Sequence, residues 1–273
     1  MAGAPGDLPY WGSIDAMHQF CEAKYVVSTH FAEIWNALSN IPTFILPGLF
    51  GLYSTWRVHD VRLRMLWLNM FWVGIGSFLF HMTMRFKCEM LDELPMVTLV
   101  LSGVFAKDDT HWTTSGFRKL LVHTLFLTVA LVGMYLYISR GDYEIFCAVF
   151  TSLTVPALGL AFMCCFRQGG LACRLHLAST VTLSLARVLW ELEARLCPPG
   201  RGGPLAWLHV LWHLLAGLAC YFGILGDVHS RHVALGVGEA VDAPGQPWPL
   251  VRLLGAGGRC KAGGTSGTSS KLD

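Results

Sequence analysis

Charged residues are scarce in this chain of 273 residues: they make up 14% of it, against about 25% in a typical soluble domain. Neither sign dominates, since 20 basic and 18 acidic side chains leave a net charge of +2. The scarcity excludes a disordered chain and a water-soluble enzyme, and the charge balance indicates no nucleic-acid partner. Nothing in the sequence calls for an obligatory protein partner. Apolar residues, in contrast, make up 53% of the chain, and the mean hydropathy is +0.49. We therefore expect an integral membrane protein.

Seven apolar runs have about the length of ~20 residues that a helix needs to cross a bilayer. We expect an all-α fold, a seven-transmembrane helix bundle over residues 31–227. The predicted spans are 31–53, 65–84, 90–105, 120–138, 143–166, 172–192 and 204–226. The third span is short, and the sixth contains Arg174, His176, Arg187 and Glu191.

The distribution of basic residues predicts the orientation of the bundle. Six Lys and Arg residues lie on the N-terminal side of the spans and thirteen on the other. The side richer in Lys and Arg faces the cytosol in most membrane proteins. We expect a luminal or extracellular N-terminal segment (1–30), without the pattern of a signal peptide, and a cytosolic tail (228–273). The tail is rich in Gly, Pro and Ser from about residue 236 and is predicted to be flexible.

Several ionisable residues lie inside these apolar runs, where each costs at least about 2.5 kcal/mol to insert. In the second span Ser77 and His81 are four residues apart, as are His209 and His213 in the seventh. Residues with this spacing share one face of a helix. The third span contributes Asp92 and Glu93, of which we expect Glu93 to face elsewhere.

Two histidines four residues apart on a helix can bind one metal ion. A third histidine and one open position would complete a catalytic zinc site, since neutral imidazole suits zinc and zinc lowers the pKa of bound water to about 7. Asp92 would then orient the water or accept its proton, and Ser77 would hydrogen-bond the oxyanion. The expected reaction is hydrolysis of an amide or ester bond in a lipid. The alternative, that the histidines only form hydrogen bonds between helices, stays open.

Nine cysteines are present, and two of them lie outside the hydrocarbon on the predicted luminal side: Cys21 and Cys197. An oxidising lumen permits a disulfide bond between them. Their positions alone leave this bond undecided.

Six segments, YWG, FCEAKY, FAEIWNALSN, GIGSFLFHMTMRF, EMLDELPM and LHVLWHLLAGL, resemble the alkaline ceramidase family in order and spacing. This family belongs to a superfamily of seven-span metal hydrolases that includes receptors. The resemblance implies zinc held by His81, His209 and His213, with Ser77 and Asp92 beside it. It implies ceramide as the substrate, cleaved at the amide to a sphingoid base and a fatty acid. It also implies an endoplasmic reticulum or Golgi membrane and a Cys21–Cys197 disulfide.

The sequence departs from the family pattern in two places. The family's calcium site uses an Asp-Trp-x-Glu-x-Asn stretch and a Glu at the start of the first span. Here Glu22 and Glu33 remain as a remnant of the calcium site, but Gln19 and Lys24 replace the acid and the amide. Calcium requires several oxygens with net negative charge, and we hypothesise that Lys24 partly substitutes for it by pairing with Glu22 or Glu33. The family's Trp-Asn-x-Asp-Asn stretch reads Trp-Glu-Leu-Glu-Ala at residues 190–194.

These departures leave other functions open beside the zinc-dependent ceramidase. One is hydrolysis of a different acyl lipid. The other is a receptor-like or catalytically weak relative that binds zinc.

Overall fold

Seven helices follow one another in the computed structural model, which describes residues 9–55, 60–107, 116–168 and 170–234. The first helix has two parts, α1 (Ile34–Asn40) and α2 (Leu46–Thr55), joined without a break by a π-helical turn at Ile41–Ile45. The others are α3 (Val61–Thr83), α4 (Phe86–Ala106), α5 (Gly116–Arg140), α6 (Tyr143–Gln168), α7 (Gly170–Leu196) and α8 (Trp207–Ala234). A short 3₁₀ turn at Pro204–Ala206 leads into α8. The described residues contain no strand, which confirms the all-α fold; the predicted flexible tail from residue 236 lies outside them.

Four helical stretches are long and apolar enough to cross a membrane: Val61–Thr83, Gly116–Arg140, Tyr143–Met163 and Pro204–Arg231. The other three helices differ from these for reasons visible in the sequence. The π-helical turn at Pro42 divides the first helix, since proline cannot donate to the α-helical ladder. Acidic side chains lower the mean hydropathy of α4. Arg174, Arg187 and Glu191 do the same in α7.

The α3 and α4 helices pack tightly because a glycine lies at their contact. A Cβ atom on Gly76 would overlap the backbone carbonyl of Leu91, and small residues allow such close approach between helices in membranes. Asn69 strengthens the contact: it donates to Ser102 Oγ at 2.8 Å and accepts from Thr98 Oγ1 at 2.8 Å. This packing brings the Ser77 end of α3 against the start of α4.

The last helix is held against the first helix and α4. A Cβ atom on Gly217 would lie 2.7 Å from the carbonyl oxygen of Thr43, so α8 approaches the π-helical turn directly. Farther along α8, the buried carboxylate of Asp227 pairs with the Lys107 ammonium at 2.8 Å. These contacts fix α8 along its length.

The segment before α1 crosses one end of the bundle without regular structure. The backbone N–H groups of Met17 and His18 donate to the Glu89 carboxylate at 2.7 and 2.9 Å. Cys21 and Cys197 are joined in a disulfide with a Cα–Cα distance of 5.5 Å. The segment is therefore bound to α4 and to the end of α7, and it covers this end of the bundle.

We predict that Gly76→Ala lowers the free energy of unfolding by about 1–3 kcal/mol, the usual cost of overpacking a core. Gly103→Ala in α4 is the matched control, because a Cβ atom there meets nothing within 4 Å. It should leave stability unchanged or raise it by up to about 1 kcal/mol through helix propensity. Thermal unfolding in detergent measures both; equal effects of the two variants would contradict the close α3–α4 packing.

Candidate metal centre and active site

Three buried histidines from two helices converge near one end of the bundle. His81 is on α3, and His209 and His213 are on α8, one helical turn apart. Their side chains offer ligand atoms that all lie within 4.8 Å of one another, and each residue is at most 3% exposed. The group can hold a metal ion.

Two of the histidines are oriented by buried carboxylates. His81 Nδ1 lies 2.6 Å from Glu33 Oε2, and His209 Nδ1 lies 2.9 Å from Glu193 Oε2. A carboxylate can only accept here, so we assign the proton of each ring to Nδ1. The lone pair of Nε2 is then directed away from the carboxylate and is available to a metal.

The third histidine, His213, is assigned the same tautomer, with the proton on Nδ1, because of its hydrogen bond with a serine hydroxyl. His213 Nδ1 lies 2.7 Å from Ser39 Oγ. The single hydroxyl proton of Ser39 is donated to the carbonyl oxygen of Asn36 at 2.8 Å, so Oγ must accept from the Nδ1–H of His213. Three imidazoles with the proton on Nδ1 and with Nε2 outside these hydrogen bonds are the kind of donor set found in catalytic zinc sites.

A mostly apolar cavity of about 130 Å³ adjoins the histidines. His209 and His213 line it together with Ser77 and Asp92, so the structure brings these four predicted residues to one place. The side chain of Ser77 interacts with the Asp92 carboxylate, whose Oδ1 atom is buried without a hydrogen-bond partner. An unpartnered carboxylate oxygen beside a metal-binding group is suited to accept a proton.

The expectation that Glu93 faces away from this cavity is wrong. Glu93 also lines it, on the side where the Tyr137 side chain lies. Consecutive residues of a helix are turned by about 100°, which is less than a half-turn. A cavity between several helices can therefore receive both Asp92 and Glu93.

Aromatic and aliphatic side chains form the rest of the cavity. Phe80, Phe146, Phe150, Leu183 and Trp212 are among them. Phe20 of the N-terminal segment also lines the cavity beside the histidines, with its ring centroid 3.8 Å from that of His209. Such walls suit an apolar ligand with few polar groups.

The calcium ion implied by the family pattern does not fit the residues found here. The Lys24 ammonium forms an ion pair with Glu33, one of the two acids considered as its partner. The Glu22 carboxylate instead accepts the backbone N–H groups of Trp35 and Asn36, both at 2.9 Å. The acidic oxygens of the remnant are thus already engaged.

Burial changes the pKa of two groups in the N-terminal segment. It lowers the pKa of His18 to about 4, so the imidazole, stacked on Tyr143 at 4.0 Å, is neutral at physiological pH. It raises the pKa of the Glu22 carboxyl, against the effect of the two backbone N–H donors. His18 acts in packing, and Glu22 acts in capping α1.

Sequence patterns did not reveal the groups that orient His209 and His213. Glu193 lies in the stretch 190–194 that departs from the family pattern, and a buried acid at this position was the available signal. Ser39 offered no signal, because an isolated serine in a helix is usually unremarkable. Glu33 was noted for calcium rather than for its contact with His81.

The profile of a family described as Ceramidase matches residues 12–241. The chain belongs to the ceramidase family. It is 30% identical over 269 residues to "Alkaline ceramidase 3" of Mus musculus, covering 92% of this chain and 97% of that protein. It is 26% identical to "Alkaline ceramidase YPC1" of Saccharomyces cerevisiae, covering 83% and 80%, and 25% identical to "Alkaline ceramidase" of Arabidopsis thaliana, covering 80% and 85%. Membership of the ceramidase family confirms the expected enzyme class, a ceramidase.

We predict that Glu193→Gln weakens zinc binding about 10- to 100-fold, the usual effect of losing a group that orients a ligand. One carboxylate oxygen of Glu193 accepts the N–H of Cys21 at 2.8 Å and the other accepts from His209. An amide offers only one acceptor oxygen and cannot serve both. Competition with a chelator measures the zinc Kd.

Glu191→Gln is the matched control, two residues away on α7. Its carboxylate is partly exposed and pairs with Arg187 at 2.6 Å and Arg195 at 3.4 Å. We expect the zinc Kd of this variant to equal that of the wild type. Equal zinc affinity in both variants would exclude Glu193 from the metal centre.

Proposed function

We propose that this protein is a zinc-dependent ceramide amidohydrolase acting inside the membrane. One observation carries the proposal: three histidines with their Nδ1 atoms engaged converge beside Asp92 and Ser77 at the wall of an apolar cavity. Membership of the ceramidase family and the names of its relatives support ceramide as the substrate. The open side of the histidine group faces a space suited to the hydrocarbon of a lipid.

His81, His209 and His213 would hold the zinc ion. When bound, zinc polarises a carbonyl group and lowers the pKa of water at its open position to about 7. The neutral tautomers described above provide this coordination without proton loss from the rings. The protein's own contribution to the chemistry then falls to Asp92 and Ser77.

Asp92 acts as the general base and then as the general acid. Its unpartnered Oδ1 accepts a proton from the water that attacks the amide carbon. Once Asp92 has taken that proton, Ser77 turns its single hydroxyl proton from Asp92 to the carbonyl oxygen, which carries the developing negative charge. As the C–N bond breaks, Asp92 returns the proton to the amide nitrogen. The products are a sphingoid base and a free fatty acid.

We further propose that all seven helices span the membrane, with residues 1–30 in the lumen, 31–227 as the ceramidase domain and 228–273 in the cytosol. The excess of Lys and Arg on the opposite side supports this orientation. The Cys21–Cys197 disulfide supports it as well, because such bonds form in an oxidising compartment. A membrane of the endoplasmic reticulum or Golgi would provide these conditions.

We predict that purified wild-type protein releases sphingoid base from ceramide in detergent and that His213→Ala abolishes the release together with zinc binding. Asp92→Asn should retain zinc and lower kcat about 10²- to 10⁴-fold, because a positioned acid-base group contributes this much. His123→Ala is the control, since His123 contacts Phe105 at the C-terminal end of α4 and does not line the cavity. Product release and zinc content are measured for all four proteins.

Each contrary outcome has a distinct meaning. Release that persists in His213→Ala would overturn the zinc site. Zinc-loaded wild-type protein that cleaves other acyl lipids but not ceramide would be a different hydrolase. Folded, zinc-loaded protein without any turnover would favour the receptor-like alternative.

A further inference from the structure

We infer that Lys24 is a built-in cation that takes the place of calcium beside the metal centre and positions Glu33, the carboxylate that orients His81. The inference rests on the proposed function only in taking His81 as a zinc ligand. Lys24 is a positioning residue, since it touches neither the histidines nor the cavity.

The ammonium group of Lys24 has a complete set of partners. It pairs with Glu33 Oε1 and donates to the carbonyl oxygens of Phe20 at 2.8 Å and Glu22 at 3.1 Å. An ammonium group has three N–H donors, and three oxygens surround it here. The Lys24 side chain is 13% exposed, so these oxygens replace most of its water.

Glu33 connects this cation to the metal centre. Its side chain is fully buried, and its second oxygen, Oε2, lies 2.6 Å from His81 Nδ1 and also accepts from Asn36 Nδ2 at 3.1 Å. A buried carboxylate without a nearby positive charge is strongly unfavourable. Lys24 supplies that charge on the side opposite the histidine, and the two contacts together hold Glu33 in line with the imidazole.

The same lysine also fixes the loop that carries it. Its side chain folds back onto the carbonyl of Phe20, four residues earlier, while the Phe20 ring packs against His209. Between them, Cys21 is bonded to Cys197 and donates its N–H to Glu193. Residues 20–24 therefore contact both Glu193, which orients His209, and Glu33, which orients His81. The hydrogen bond from Lys24 to the carbonyl of Phe20 holds this stretch in a compact loop.

Calcium cannot take this position while Lys24 is present. A calcium ion needs six to eight oxygen ligands with net negative charge. The ammonium occupies the space between Glu33 and two carbonyls, and the Glu22 carboxylate is engaged by the backbone of α1. A bound ion stabilises a protein according to its concentration, whereas a side chain is always present. The stability of this metal centre should therefore not depend on calcium.

The test measures zinc affinity and thermal unfolding, neither of which needs a substrate. Wild type, Lys24→Met, Lys24→Arg and Lys87→Met are compared in a calcium-depleted buffer without chelator and in millimolar CaCl2. Lys87 is an exposed lysine at the start of α4 and serves as the matched control. We expect the wild type to give the same Tm and zinc Kd in both buffers.

Lys24→Met should weaken zinc binding about tenfold or more and lower the Tm, as expected when a group that orients a ligand is disturbed. Lys24→Arg should recover much of both, since it keeps the charge, and Lys87→Met should match the wild type. A Tm of the wild type that rises with calcium would overturn the inference, even if Lys24→Met failed to fold. A Lys24→Met protein that behaves like Lys87→Met would overturn it too. If the wild type shows the expected zinc Kd and Tm but does not cleave ceramide, only the proposed function would be overturned.

Discussion

Each of the three converging histidines has two ring nitrogens, and only one of them can face a metal. The other must be satisfied inside an apolar bundle, where an unpaired polar group is costly. Glu33, Glu193 and Ser39 meet this requirement at distances of 2.6 to 2.9 Å. This requirement determines much of the surrounding structure. The three acceptors lie in α1, at the residue before α1 and in α7, and each must be brought against a histidine.

The two buried acids need partners of their own, and these determine the course of the N-terminal segment. Glu33 recruits Lys24, and Glu193 accepts the backbone N–H of Cys21. The segment therefore supports the candidate metal centre, although none of its residues belongs to the histidine group. The disulfide to Cys197 and the contact of Phe20 with His209 act on the same few residues. The ion pair of Lys24 and the disulfide of Cys21 thus hold the same short segment against one end of the bundle.

The sequence predicted the parts of this site that follow a local rule. His209 and His213 share a helical face by spacing alone, and Ser77 and His81 do as well. The two sets lie on helices far apart in the chain, so periodicity could not show that they meet. The cost of burying ionisable side chains predicted that they share a metal ion, and the resemblance to a family named the three ligands. Ser39 could not be predicted, because its role depends on α8 packing against the π-helical turn. Glu93 was misjudged because the shape of the cavity, not the helix period, decides which side chains reach it.

The histidine ligands are separated by 128 residues along the chain, from His81 to His209. At a synthesis rate of about 5–20 residues per second, His81 is made about 6 to 26 seconds before His209. During that interval His81 and Glu33 are already in the chain, and so is Lys24, nine residues before Glu33. The Lys24 ammonium can therefore pair with the Glu33 carboxylate before His209 and His213 have been synthesised. Insertion of the early helices is thereby uncoupled from the supply of metal ions in the compartment.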